Sequence, residues 1–117
     1  MVINKPWGQE ELIFKNDKYM VKKLTMNNGH RCSLQYHDFK IETIYVLEGL
    51  LTIEIDKSFS HHSNYKLETL VLNPGQFLTI HNGQLHRMSA VNGCAVYLES
   101  STPEIDDVKR IEDDYHR

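Results

Sequence analysis

Arg31-Cys32-Ser33-Leu34-Gln35-Tyr36-His37 alternates without a break: Cys32, Leu34 and Tyr36 fall on one side of an extended chain, Ser33, Gln35 and His37 on the other. A period of two marks a strand. The second face is polar, so this strand carries more than packing. Working outward, Asn27-Asn28-Gly29 is a turn signal that closes the β-compatible run from Tyr19 to Met26. On the other side, Thr43 to Leu47 is apolar and β-branched, Glu48-Gly49 turns it, and Leu50 to Ile55 pairs back as a hairpin.

The same rhythm continues downstream. Asp56 to Lys66 has no apolar period and reads as an exposed loop, with His61 and His62 solvated in it. Strands resume at Leu67 to Leu72 and Phe77 to Ile80, divided by Asn73-Pro74-Gly75. After His81-Asn82-Gly83 come Leu85 to Val91 and Cys94 to Ser100, flanking Asn92-Gly93. Strand after strand with no long helical period predicts an all-β sandwich or barrel. Beyond Pro103 the composition changes: Ile105, Val108 and Ile111 recur every three residues, which predicts a short C-terminal helical or turn segment laid against the barrel wall.

At 117 residues the chain is the size of one domain by the usual ~100–150 residues, so residues 1–117 are expected to form a single domain, with a barrel core over about 19–100 and a tail over 101–117 packing on it. An apolar fraction of 40% and a charged fraction of 25% fit a soluble globular protein. No run approaches the ~20 apolar residues of a membrane span, and Met1 to Lys5 is no signal peptide, so the expected place is the cytoplasm. Thirteen basic residues against 16 acidic ones leave a charge of -3, which favours neither nucleic acid nor an anionic membrane as partner. Cys32 and Cys94 are read as small buried hydrophobes in a reducing compartment.

The chemistry gathers on four residues. Gln35 and His37 project together, Glu42 starts the next strand, and His86 opens a strand far along the chain. Imidazole, carboxylate and amide oxygen together suit a divalent ion such as zinc, manganese, iron, cobalt or nickel. The bland alternative is a hydrogen-bonded polar patch without metal.

The frame around these residues runs Gly29, Gln35, His37, Glu42, Gly49 and then Gly75, His81, Gly83, His86, Ala90. It resembles the two motifs of the cupin superfamily, with Gln35 in place of the first histidine. The resemblance implies a small jelly-roll barrel holding one metal ion, zinc favoured, on Gln35, His37, Glu42 and His86. Further strings are Lys5-Pro6-Trp7-Gly8 with Glu10, Val21-Lys22, Ser33-Leu34-Gln35 with His37, Tyr45-Val46 with Gly49, His86-Arg87, and the tail from Glu112 to Arg117. Over nearly the whole chain these resemble the type II mannose-6-phosphate isomerase domain. That family usually carries an arginine two residues before the glutamate and a histidine just after it. Here those positions hold Lys40 and Thr43, and a lysine does not reproduce arginine's two-pronged grip on phosphate.

The resemblance therefore implies a metal-dependent aldose-ketose isomerase of sugar phosphates, with a sugar or sugar phosphate as ligand. The metal would polarise substrate oxygens, and Lys22 or a hydroxide held by the metal would serve as base. Lys22 shares its side of the strand with Met20, Leu24 and Met26, and faces either solvent or the barrel interior. Two rival functions stand beside this one: a binding or sensing module that holds metal without turnover, and an iron-dependent dioxygenase on the same ligands. Arg87, next to an inward histidine, is expected to point outward and pair with the acidic tail. His81 reads as a turn residue, and Trp7 and Tyr36 read as packing anchors. Open edge strands and the habit of small cupins predict a homodimer through apolar residues near the N-terminus.

Overall fold

Every second residue of the run from Met20 to Met26 is buried, namely Met20, Lys22, Leu24 and Met26, as the period of two requires. The same alternation buries Glu42, Ile44 and Val46, then Leu51, Ile53 and Ile55, then Ala95, Tyr97, Glu99 and Ser101. A computed structural model describes residues 1–59 and 64–117. His61 and His62 lie outside the described residues.

The strands are β1 (Val2–Lys5), β2 (Gly8–Lys15), β3 (Met20–Met26), β4 (Leu34–Tyr36), β5 (Glu42–Glu48), β6 (Leu51–Ile55), β7 (Glu68–Leu72), β8 (Phe77–Ile80), β9 (His86–Ser89), β10 (Ala95–Ser101) and β11 (Lys109–Glu112). They form two antiparallel sheets, ordered β1-β2-β3-β10-β5-β8 and β11-β4-β9-β6-β7. From β3 to β10 the chain crosses repeatedly between the sheets, with only β6 and β7 adjacent within one. That is the jelly-roll barrel of a cupin. Among the described residues no helix is long and apolar enough to cross a membrane.

The registers sort the barrel interior into an apolar and a polar part. Tyr97 sits between Leu24 and Val46, whereas Glu99 sits between Lys22 and Ile44, and Ser101 between Met20 and Glu42. The apolar part includes Trp7, Met26, Ile53 and Met88, all buried. Two glycines permit the close approaches that shut it. Gly49 has φ 75°, and a Cβ there would strike the Cys94 carbonyl oxygen; a Cβ on Gly8 would strike that of Thr25.

The hairpin expected across Glu48-Gly49 does not form, since β5 and β6 lie in different sheets. Four other expectations need correction. The Arg31–His37 run is regular strand only at Leu34–Tyr36: Arg31 opposes Ser89 and Gln35 opposes His86, so four steps on one chain match three on the other. The extra residue is a bulge that interrupts the ladder. Ahead of residue 19 an additional hairpin, β1 and β2, extends one sheet, with Pro6-Trp7 as its two-residue turn. Its alternation is blurred because Ile13 and Phe14 are both exposed. Cys94 is exposed, not buried, because the turn at Asn92-Gly93 runs one residue further and the strand begins at Ala95.

The tail is the fourth correction. No C-terminal helix forms. Turns at Ile105-Asp106 and Asp114-Tyr115 flank β11, which adds to the sheet edge beside β4. Three apolar residues at a spacing of three are too few to specify a helix, and Ile105 and Ile111 are exposed. Side chains fix the strand in place. The Arg31 guanidinium donates to both carboxylate oxygens of Asp114, at 2.6 and 2.9 Å. Arg87, next to the inward His86 on β9 and buried beneath the tail, donates to the carbonyls of Cys32 and Glu112 and lies within ion-pair reach of Glu112 and Asp114, the pairing with the acidic tail that was expected of it.

These contacts set an acid limit. Burial works to raise the Asp113 carboxyl, but Arg117 and the backbone N–H of Tyr115 outweigh it and hold it at about 2, against an ordinary 3.8. Asp114 is also held low by the Arg31 bond, and Asp107 by three backbone N–H groups that outweigh its desolvation. A depressed folded-state value gives stability that is present above 3.8 and lost as pH falls toward 2. NMR titration should therefore show β11 amide signals moving to free-chain positions in that window while those of Leu24 and Tyr97 stay put. Asp113→Asn should loosen the tail already at neutral pH.

Candidate metal centre

His37 follows β4, Glu42 opens β5 and His86 opens β9, so three strand ends of two sheets meet at one place. One ligand atom from each lies within 4.8 Å of the others, and all three residues are buried. His37 Nε2 stands 3.0 Å from Glu42 Oε1, and His86 Nε2 stands 3.2 Å from the same oxygen. The second of these approaches lacks hydrogen-bond alignment, and both His86 Nε2 and Glu42 Oε2 have no hydrogen-bond partner among the described residues.

The far side of each ring decides what the near side can do. His37 Nδ1 is 2.5 Å from the backbone carbonyl oxygen of Asp107, and His86 Nδ1 is 2.9 Å from that of Gln84. A carbonyl oxygen only accepts, so each Nδ1 must carry the hydrogen. In the neutral ring Nε2 then bears a lone pair, and two such lone pairs face one carboxylate. With both rings neutral, acceptors crowd together with no proton between them. A cation resolves this arrangement directly, and backbone-anchored histidines beside a carboxylate are a donor set suited to a divalent ion.

The Glu42 carboxyl is held well below the usual carboxylate range. Its burial is the largest influence and pushes upward; His37 and His86, where their Nε2 atoms carry a proton, and the charge of Lys40 overcome it. Glu42 is therefore a carboxylate at neutral pH.

Gln35 stands directly across from His86 in register, which puts both side chains on one face. It lines the same cavity as His37, and its Oε1 accepts the Ser33 hydroxyl hydrogen at 2.5 Å. Lys22 turns inward: it is buried, lines that cavity of about 230 Å³, and lies 3.4 Å from Glu10 Oε2. Lys40 is also a lining residue, 3.9 Å from Glu99 Oε1. His81 is exposed on a turn, as expected, and Trp7 is buried under the cavity while Tyr36 is half-buried.

Glu99 and Tyr97 are cavity residues that sequence reasoning did not single out, and Glu10, quoted there only within a motif string, lines the cavity with them. The alternation Ala95-Tyr97-Glu99-Ser101 held the signal for two of them, since Ala95 on that face must be inside. Cys32 also lines the cavity, but burial pushes its thiol up to about 11, which keeps it protonated and unreactive.

A family profile described as mannose-6-phosphate isomerase C-terminal matches residues 1–113. Alginate biosynthesis protein AlgA of Pseudomonas aeruginosa is 27% identical over 121 aligned positions, covering 98% of this chain and 23% of that protein. The chain thus spans about a quarter of the length of that relative. Among solved structures, the capsular polysaccharide assembling protein CapF of Staphylococcus aureus superposes with a TM-score of 0.81 at 16% identity, covering 96% of this chain and 31% of the other. KdgF from Halomonas sp. superposes with a TM-score of 0.75 at 16% identity, covering 91% and 88%. These two likenesses establish the fold.

The crowding of acceptors has a measurable cost. With chelator present and at alkaline pH, which keeps both rings neutral, Glu42→Gln should be neutral or stabilising, because it supplies an N–H for a histidine lone pair. Urea unfolding checks this, and a clear loss of stability would contradict the assigned tautomers.

Proposed function

The chain belongs to the mannose-6-phosphate isomerase C-terminal family, and from that premise we propose that it is a metal-dependent isomerase interconverting an aldose and a ketose sugar phosphate. The observation that carries the reading is the pair of Nε2 lone pairs converging with the Glu42 carboxylate beside a cavity that contains a buried lysine. His37, Glu42 and His86 would hold one divalent ion, with the amide oxygen of Gln35 as the fourth donor. Zinc is favoured, and manganese, iron, cobalt and nickel share the same donor preferences. When bound, the ion polarises the carbonyl and hydroxyl oxygens of the sugar.

The remaining work falls to the cavity wall. Isomerisation moves one proton between adjacent carbons and another between their oxygens, so it needs a group that can both take and return a proton. Lys22 is the catalytic residue in this reading. Its ion pair with Glu10 means that the ammonium holds a proton and the carboxylate can accept one, so the two act as a couple. At the cavity mouth Lys5 and Arg110 have no ion-pair partner among the described residues. They are suited to the phosphate, and Arg110 offers the planar fork that Lys40 does not.

A binding module without turnover is the second reading. It is favoured by one observation: the two buried cavity lysines, Lys22 and Lys40, are already engaged by carboxylates. A coupled assay of mannose 6-phosphate against fructose 6-phosphate, with zinc, cobalt, manganese and nickel in turn, separates the two. Activity should vanish with chelator and return with metal. Lys22→Met should lower kcat by about 10²-fold or more while metal content stays near one ion per chain. Metal binding with no turnover under any of the four would leave the binding module.

We also propose a homodimer through the N-terminal edge. β1 is an edge strand, and Val2, Ile3, Ile13 and Phe14 are exposed on the hairpin it forms with β2. Light scattering should give twice the chain mass at micromolar concentration, and Ile13→Lys with Phe14→Lys should return it to a monomer.

A further inference from the structure

Tyr97 is fully buried on β10, and its side chain lines the cavity shared by His37, Gln35 and Lys22. Its ring belongs to the apolar core, between Leu24 and Val46. Its hydroxyl does not: the oxygen has no hydrogen-bond partner among the described residues. A buried polar group left unpaired is costly, and phenylalanine would fill the same place in the core without that cost. Glu42 and Glu10, whose charges reach the phenol, belong to the centre and to the cavity wall, and the neutral thiol of Cys32 lines the same cavity. Desolvation holds the phenol protonated, so it is available as a donor.

We propose that Tyr97 is a ligand-contact residue of this cavity, its hydroxyl donating to an oxygen of a polyhydroxylated small molecule whose other end lies at the His37-Glu42-His86 centre. The inference rests on the reading of this cavity as a sugar site. It adds a specificity determinant: a sugar keeps its place by offering an acceptor oxygen at the core end of the cavity as well as at the metal centre. Sites built to bond a substrate oxygen discriminate against analogues lacking it, because the protein group is then left unpaired. Glu99, the next inward residue on β10, and Lys22 opposite it provide further polar partners along the same wall.

Tyr97→Phe removes the hydroxyl and keeps the ring. Three measurements on zinc-loaded protein test the inference: thermal midpoint without ligand, calorimetric Kd for mannose 6-phosphate and for D-mannose, and turnover. The expected result is a thermal midpoint equal to or above that of wild type, unchanged zinc content, and Kd weakened by about tenfold or more for each sugar that the wild type binds. A fall in the unliganded midpoint overturns the proposal, because the hydroxyl would then be serving the folded chain, through a structural water for example. Equal affinity of variant and wild type overturns it as well, and turnover retained in both leaves the isomerase reading standing. Binding without turnover in the wild type sinks the isomerase reading alone, and the Tyr97 comparison still decides through Kd. A wild type that binds neither sugar overturns the proposal, since an oxygen-rich ligand is its premise.

Discussion

Two backbone carbonyls govern the centre. By accepting the Nδ1 hydrogens of His37 and His86, the Asp107 and Gln84 carbonyls dictate which ring nitrogen faces inward and what it can offer. The convergence on Glu42 follows from that choice. So does the need for rigid supports behind each ring. Gln84 is itself buried, and its side-chain amide donates to the Asp56 carbonyl while its Oε1 accepts from the His81 N–H. Asp107 is fixed by its carboxylate, which accepts the N–H groups of Asp38, Phe39 and Lys40. One residue thus orients His37 with its backbone and shapes the connection between His37 and Glu42 with its side chain.

The polar half of the interior trades stability for chemistry. Lys22 with Glu10 and Lys40 with Glu99 are largely buried charge pairs in a barrel small enough to need its apolar burial. Such pairs often fall short of well-packed apolar residues in stability, because desolvation offsets their attraction. Their positions explain how the fold tolerates them. All lie toward the cavity, while Trp7, Met26 and Ile53 pack the rest of the interior. The same β10 strand supplies Tyr97 and Glu99, so the border between the two halves runs along a single strand.

Much of this was legible in the sequence for identifiable reasons. Period-two burial from Met20 to Met26 and the Glu48-Gly49 turn are local signals and predicted strand class correctly, but the hairpin expected across that turn does not form, because β5 and β6 find their partners in different sheets. Gln35, His37, Glu42 and His86 could be grouped because the spacing of the surrounding glycines resembles a known frame, although they come together only through long-range pairing. What escaped was non-local. The tail became a strand because β4 presented an open edge and Arg31 and Arg87 offered charges, none of which is visible from 104–113 alone. The bulge between Arg31 and Gln35 depends on a partner more than fifty residues away. For Lys22 the alternation gave the face, and only the assembled barrel showed which side of that face was inside.

The bond between the Asp107 carbonyl and His37 spans 70 residues of sequence. During synthesis the two histidines and Glu42 can be brought near one another once β9 has formed, but the inward orientation of the His37 ring must wait until the segment around residue 107 has left the ribosome and docked. Long-range contacts of this kind carry the loop-closure cost before they return any stability, so they form late. A nascent barrel therefore holds its histidines without their final tautomers enforced. Until that segment docks, the chain holds its three candidate ligands without the bond that turns the His37 ring inward.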